Sequence, residues 1–141
     1  MLSLMIWNLR GMGAQAKGAF IAADSRKHHL SIVAILEPKQ DAGRLPSLSR
    51  RLGFPIFMPG SPENSHIWVC WKKDVKVKVV SLMSHCINTK ISWARGEVLF
   101  SFFYACKEAQ GRLDLWHFLG SIQSEHLPSF LGGDFNSIVD L

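Results

Sequence analysis

Gly133-Asp134-Phe135-Asn136 places an acid and an amide two residues apart, close to the end of a 141-residue chain. The apolar pair Phe130-Leu131 just before it reads as part of a buried strand, broken by Gly132 and Gly133. Those glycines permit a sharp turn or a close approach to a ligand. In strand geometry Asp134 and Asn136 point one way while Phe135 points back into the core. An acid and a neutral amide so placed can hold a hard cation and a phosphate oxygen together. Alone, Gly-Asp followed by Asn is also the composition of an ordinary turn.

Two more sites shift that balance. Leu2-Ser-Leu-Met-Ile-Trp7 is an apolar run that ends in Asn8-Leu9-Arg10-Gly11. Ser31-Ile-Val-Ala-Ile-Leu36 is rich in β-branched residues and ends in Glu37-Pro38-Lys39. Each run delivers a polar residue (Asn8, Glu37, Asp134) where the chain leaves a strand. In open α/β sheets, ligands collect at such strand ends.

Trp7-Asn8-Leu9-Arg10-Gly11, Leu36-Glu37-Pro38-Lys39 and Gly133-Asp134-Phe135-Asn136, in that order, resemble the endonuclease/exonuclease/phosphatase superfamily. The likeness is strongest to the apurinic-type endonuclease domain of LINE (non-LTR) retrotransposons, particularly those of plants. His66-Ile-Trp-Val-Cys-Trp71, Tyr104-Ala105 and Arg112-Leu-Asp-Leu-Trp116 fit as intervening landmarks. The resemblance implies a two-sheet α/β sandwich and a phosphodiesterase dependent on a divalent cation, Mg2+ or Mn2+. It implies that Glu37 binds the metal and that Asn8 helps to hold metal and phosphate. Asp134 would activate water, while Asn136 and Tyr104 would position the scissile phosphate. The chemistry has a physical reason: an anionic phosphodiester repels a nucleophile, so a cation neutralises developing charge while a carboxylate orients or deprotonates water.

The chain also departs from the family pattern. Ser31 stands where an acid is usual, Pro38 where a threonine is usual, and Ser65-His66 where a glycine pair is usual. The family's Ser-Asp-His motif, which follows Gly-Asp-x-Asn, has no counterpart here. Ser124-Glu125-His126 imitates its composition but precedes Gly-Asp-Phe-Asn, and it reads as a solvated helix terminus. The expectation is a single domain over residues 1–141, incomplete at its C-terminus, with an unpaired strand edge, exposed apolar surface and at most trace activity alone. A non-catalytic remnant with weak nucleic-acid binding is a second reading. A phosphatase for a phosphoinositide or other small phosphoester is a third.

Composition favours a polyanionic partner. Formal net charge is +5 and the pI about 9.4, which favours sequence-independent attraction to the phosphate backbone of DNA. Lys72, Lys73, Lys76, Lys78, Lys90 and Arg95 concentrate mid-chain. Lys76 and Lys78 share one strand face opposite valines, where a solvated edge strand would also explain them. Arg10 and Arg112 lie nearer the motifs and are the better candidates for phosphate contact, with surface placement as the other explanation for both.

The remaining residue types point to nothing else. Six histidines show no metal-ligand spacing, and five tryptophans fit core packing. Cys70, Cys86 and Cys106 read as buried free thiols in a reducing compartment. No apolar run approaches the ~20 residues that span a bilayer, and residues 1–7 lack a basic n-region. The expectation is an intracellular protein, nuclear or cytoplasmic, without a membrane partner.

The elements expected to position these residues alternate along the chain. After the first strand come a helix over 14–29, a strand at 31–36, turns across 40–60 and a short helix from Pro46 to Leu52. Strands follow at 66–71, 75–79, 84–93 and 98–104. Leu115, Phe118, Leu119 and Ile122 then recur at helical spacing.

Overall fold

Runs of Ile, Val and aromatic residues fill the strands of this chain, and their burial follows from what each face meets. The computed structural model describes residues 1–8, 14–38, 42–58, 66–83, 85–105, 107–122 and 126–134, with main chain alone for 14–20 and 42. Its elements are β1 (Leu4–Asn8), α1 (Ala14–His28), β2 (Ile32–Leu36), α2 (Leu45–Leu52), β3 (Ile56–Met58), β4 (Ile67–Trp71), β5 (Lys76–Met83), β6 (Cys86–Trp93), β7 (Gly96–Tyr104), α3 (Ala109–Ser121) and β8 (Ser129–Asp134). The short strand β3 falls in the stretch expected to hold turns.

Two mixed four-stranded sheets form, in the orders β1-β2-β4-β3 and β5-β6-β7-β8. In the first, β1 and β2 run parallel through the α1 crossover, and β4 runs antiparallel to β2 and β3. In the second, β5, β6 and β7 form an antiparallel meander. There β8 returns through α3 to lie parallel to β7.

Side chains alternate across each strand, so each sheet has two faces to cover. Ile32, Ala34, Leu36, Ile67 and Val69 of the first sheet pack against Ile87, Ile91, Val98 and Phe102 of the second. The opposite face of the first sheet, with Val33, Ile35, Trp68 and Cys70, is covered by Ile21 of α1 and by Leu45, Leu48 and Leu52 of α2. The opposite face of the second sheet sets Cys86 and Phe103 against Leu115 and Leu119 of α3. The result is the expected two-sheet α/β sandwich. Trp68 and Trp71 are buried, as expected of core residues. Cys70 and Cys86 are buried free thiols, and burial pushes each up to about 12. No helix among the described residues is long and apolar enough to cross a membrane.

Local chemistry sets the helix ends. Arg26, Lys27 and His28 occupy the last turn of α1, where cations oppose the helix dipole favourably. Pro46 sits in the first turn of α2, and Gly53 closes it at φ 81 with its N–H on the Arg50 carbonyl.

The last strand departs from expectation in two ways. Phe130 and Leu131 are 55% and 52% exposed, because β8 has β7 as its one described neighbour in the sheet. Among the described residues the run therefore lies at an edge and not in a buried strand. Gly132 and Gly133 do not break it either; pairing continues to Tyr104↔Asp134. They are required by close approach of protein to protein: a Cβ on Gly133 would collide with the Phe103 carbonyl, and one on Gly132 would lie 2.6 Å from Ile6 Cδ1.

This contrast is testable by chemical denaturation. Gly133→Ala forces β7 and β8 apart and is expected to destabilise by about 2 kcal/mol or more, as overpacking against immobile backbone does. Gly120→Ala, in α3 with open space around it, is expected to be neutral or to stabilise by up to ~1 kcal/mol. Equal effects from the two substitutions would contradict this account of β8.

Candidate active site

Two parallel strand pairs, one from each sheet, end on the same rim of the sandwich. Asn8 is the last residue of β1, and its register partner is Leu36, the last of β2. Tyr104 ends β7 opposite Asp134, the last residue of β8. Glu37 follows β2 directly.

Side chains bridge the sheets at this rim. Asn8 Nδ2 donates to Asp134 Oδ2 at 2.7 Å, joining residues 126 positions apart. The Tyr104 hydroxyl donates to Glu37 Oε1. Each cross-sheet bond thus pairs a residue of the first sheet with one of the second. The main chain reinforces them, since the Ala105 N–H donates to the Asp134 carbonyl at 2.8 Å. Four residues singled out from sequence, Asn8, Glu37, Tyr104 and Asp134, are therefore brought together in two bonded pairs.

Glu37 is held in an unusual backbone state. Its φ of 49° lies in the left-handed region, which costs a non-glycine residue roughly 1–2 kcal/mol. Three features hold it there: the buried Pro38 after it, its N–H on the His66 carbonyl at 2.8 Å, and the Tyr104 hydroxyl on its carboxylate. Such strain concentrates where a side chain must be aimed. The conformation turns Glu37 out of the strand direction at the sheet's rim.

Three rings lie behind this pair. His66 immediately precedes β4 and stacks on His85, with centroids 5.4 Å apart and planes 18° apart. It also stacks on Tyr104 at 5.5 Å and 27°. The His85 carbonyl accepts from the Tyr104 N–H at 2.9 Å. Among the described residues, His85 Nδ1 is buried without a hydrogen-bond partner. Sequence reasoning set all six histidines aside for want of metal-ligand spacing. The available signal was positional: His66 directly precedes the apolar run of a strand.

The other sequence candidates divide. Arg112 lies in the first turns of α3 and donates to the Lys107 carbonyl, so that bond ties the guanidinium to the loop leading into its own helix. Arg10 and Asn136 lie outside the described residues, as do Ser124 and Glu125. Lys76 and Lys78 are exposed on β5, an edge strand of the second sheet, with Val77 less exposed between them.

The donor chemistry suits a hard divalent cation. Glu37, Asp134 and Asn8 offer two carboxylates and an amide, and no described group of three or more His, Cys, Asp or Glu residues could hold a metal ion. A small number of carboxylates is the usual provision for Mg2+, which keeps several waters and takes phosphate oxygens. With its amide nitrogen on Asp134, Asn8 would bring its carbonyl oxygen to the ion. Glu37 would bring Oε2.

Paired parallel strands thus meet rim to rim across a two-sheet sandwich. Solved structures with this fold match nearly the whole chain. Humanized D. rerio TDP2 bearing 14 mutations matches 98% of this chain at a TM-score of 0.71 and 15% identity. D. rerio TDP2 complexed with a single-strand DNA product matches the same share at 0.71 and 15%. The endonuclease domain of TRAS1, a telomere-specific non-LTR retrotransposon, matches 99% at 0.68 and 11%. The chain spans 63%, 62% and 61% of those three chains, respectively. No family model matches the sequence, and no curated protein does.

Histidine burial makes a pH prediction. Desolvation lowers the pKa of His85 from 6.5, and the neighbouring His66 lowers it further. The unfolded chain therefore binds more protons than the folded one once pH falls below about 6.5. Stability is fully present above that value and declines as pH drops through the folded pKa. Urea midpoints between pH 7.5 and 5 should fall for the wild type and fall less for His85→Asn. Parallel curves would show that His85 contributes nothing to the pH dependence.

Proposed function

We propose that this chain carries the cation- and water-handling part of a divalent-metal-dependent phosphodiesterase site, of the DNA endonuclease kind found in retrotransposons. The observation that carries the reading is the pair of cross-sheet bonds, Asn8–Asp134 and Tyr104–Glu37, at the shared ends of two parallel strand pairs. It is supported by the fold shared with the TRAS1 endonuclease domain and with TDP2 in complex with a DNA product.

Each side chain has a task. Glu37 and Asn8 would hold Mg2+ or Mn2+, which would supply positive charge against the negative charge that develops on the phosphodiester. Asp134, oriented by the Asn8 amide, accepts a proton from the attacking water. Asn136 takes the role that the resemblance gives it, orienting the scissile phosphate. Tyr104 fixes the Glu37 carboxylate and lies beside the phosphate. Arg10 and Arg112, with the net charge of +5, attract the DNA backbone. The Ser-Asp-His sequence that the resemblance calls for is not among these 141 residues, which carry the cation- and water-handling side chains.

The test is nicking of supercoiled plasmid, beside Mn2+ binding followed by electron paramagnetic resonance. Expected is trace nicking that EDTA abolishes, with both trace activity and Mn2+ affinity reduced at least tenfold, about 1.4 kcal/mol, in Glu37→Gln. Asp134→Asn should lose nicking. Cleavage indifferent to both substitutions would refute the assignment. Folded protein that binds DNA in a salt-sensitive way, yet neither binds Mn2+ nor nicks, would favour the non-catalytic remnant.

A further inference from the structure

Resting on the phosphodiesterase reading above, we propose that the exposed face of the His66 ring is a stacking platform for an unpaired nucleobase beside the phosphate site. This makes the substrate of the site a single-stranded or unstacked nucleic-acid segment and not a small phosphoester.

The geometry assigns one open face to His66. His85 and Tyr104 lie 5.4 and 5.5 Å from it but only 6.1 Å from each other. Had they flanked His66 on opposite faces, they would stand about twice as far apart. Both therefore lie to one side of the ring, and among the described residues no ring covers the other. The exposures run in the same direction: Tyr104 is buried, His85 half-buried and His66 exposed. The arrangement is a ledge of rings whose outermost member faces solvent.

The ledge is fixed to the chemistry by main-chain bonds. The His66 carbonyl accepts the Glu37 N–H at 2.8 Å, and the His85 carbonyl accepts the Tyr104 N–H at 2.9 Å. Tyr104 in turn holds the Glu37 carboxylate. A ring locked this way loses little freedom on stacking, and its distance from Glu37 is set by the fold. Unstacked bases pack on the faces of Phe, Tyr, Trp and His side chains, and every base has such a face. A phosphoester without a base gains nothing from this surface.

The experiment uses the 141-residue protein and short single-stranded oligonucleotides. One carries 2-aminopurine, whose fluorescence is quenched on stacking, and a second carries an abasic residue at the same position. Wild type should quench the probe and bind it roughly tenfold more tightly than the abasic strand. His66→Gly should erase that difference without changing the affinity for the abasic strand, and His66→Trp should restore or enlarge it. Both variants keep the main-chain bond to Glu37, and thermal melts establish that they are folded. Equal binding of the two strands by wild type, or quenching unchanged in His66→Gly, overturns the proposal. Glu37→Gln separates the two readings. Base discrimination that survives in this variant while Mn2+ binding is lost supports the platform and the metal site together. Discrimination that survives with Mn2+ binding intact supports the platform and sinks the metal assignment.

Discussion

Contact between the inward faces of the two sheets is the interaction on which the rest of this molecule depends. Ile32, Ala34 and Leu36 of β2 meet Ile87, Ile91 and Phe102 of β6 and β7 in one apolar layer. Alternation along each strand then dictates that the opposite faces need helices, which α1 and α2 supply on one side and α3 on the other. The same contact aligns the ends of β1 and β2 with those of β7 and β8. No residue of the candidate site touches its cross-sheet partner unless those apolar faces are seated.

The polar bonds at the rim gain specificity from this arrangement. Asn8–Asp134 and Tyr104–Glu37 each join one sheet to the other. A slip of one residue along a strand would turn its side chains to the opposite face, so each bond also reports register. Tyr104 serves both layers, with its ring in the inter-sheet core and its hydroxyl at the rim. The left-handed backbone of Glu37 is tolerated because Pro38, His66 and Tyr104 constrain it together. Carboxylates oriented in advance by a folded core need not reorganise when charge develops beside them, which is the principal advantage of a structured site over solvent.

What could be read from the sequence was local and periodic. The buried β2 and β4, the β5 alternation at Lys76 and Lys78, and Leu115 and Leu119 on α3 all follow from hydrophobic spacing. Asn8, Glu37 and Asp134 stood out because each is polar at the end of an apolar run. What escaped was long-range. Nothing near His66 in the chain indicates that its ring meets His85 and Tyr104, because three separate strands determine that meeting. That the expected edge and exposed apolar surface would include Phe130 and Leu131 escaped for a similar reason. An apolar run carries no mark of whether its strand has one neighbour or two, so burial was inferred where the sheet supplies an edge. The two glycines misled in the same way, since their smallness answers to the Phe103 carbonyl and the Ile6 side chain and not to a turn.

Asp134 shows how these levels act on a single residue. It ends an edge strand, the position in a sheet with the fewest ladder bonds to hold a side chain still. Three separate restraints compensate. Gly133 lets β8 approach β7 more closely than any side chain would allow. The Ala105 N–H extends the pairing past the end of the ladder to the Asp134 carbonyl. The Asn8 amide then fixes the carboxylate from the opposite sheet. Remove the close approach and the other two restraints lose their geometry, because each requires β8 to lie at the separation that glycine permits. The orientation of this acid is thus set by a missing methyl group one residue away, and only afterwards by the hydrogen bonds that display it.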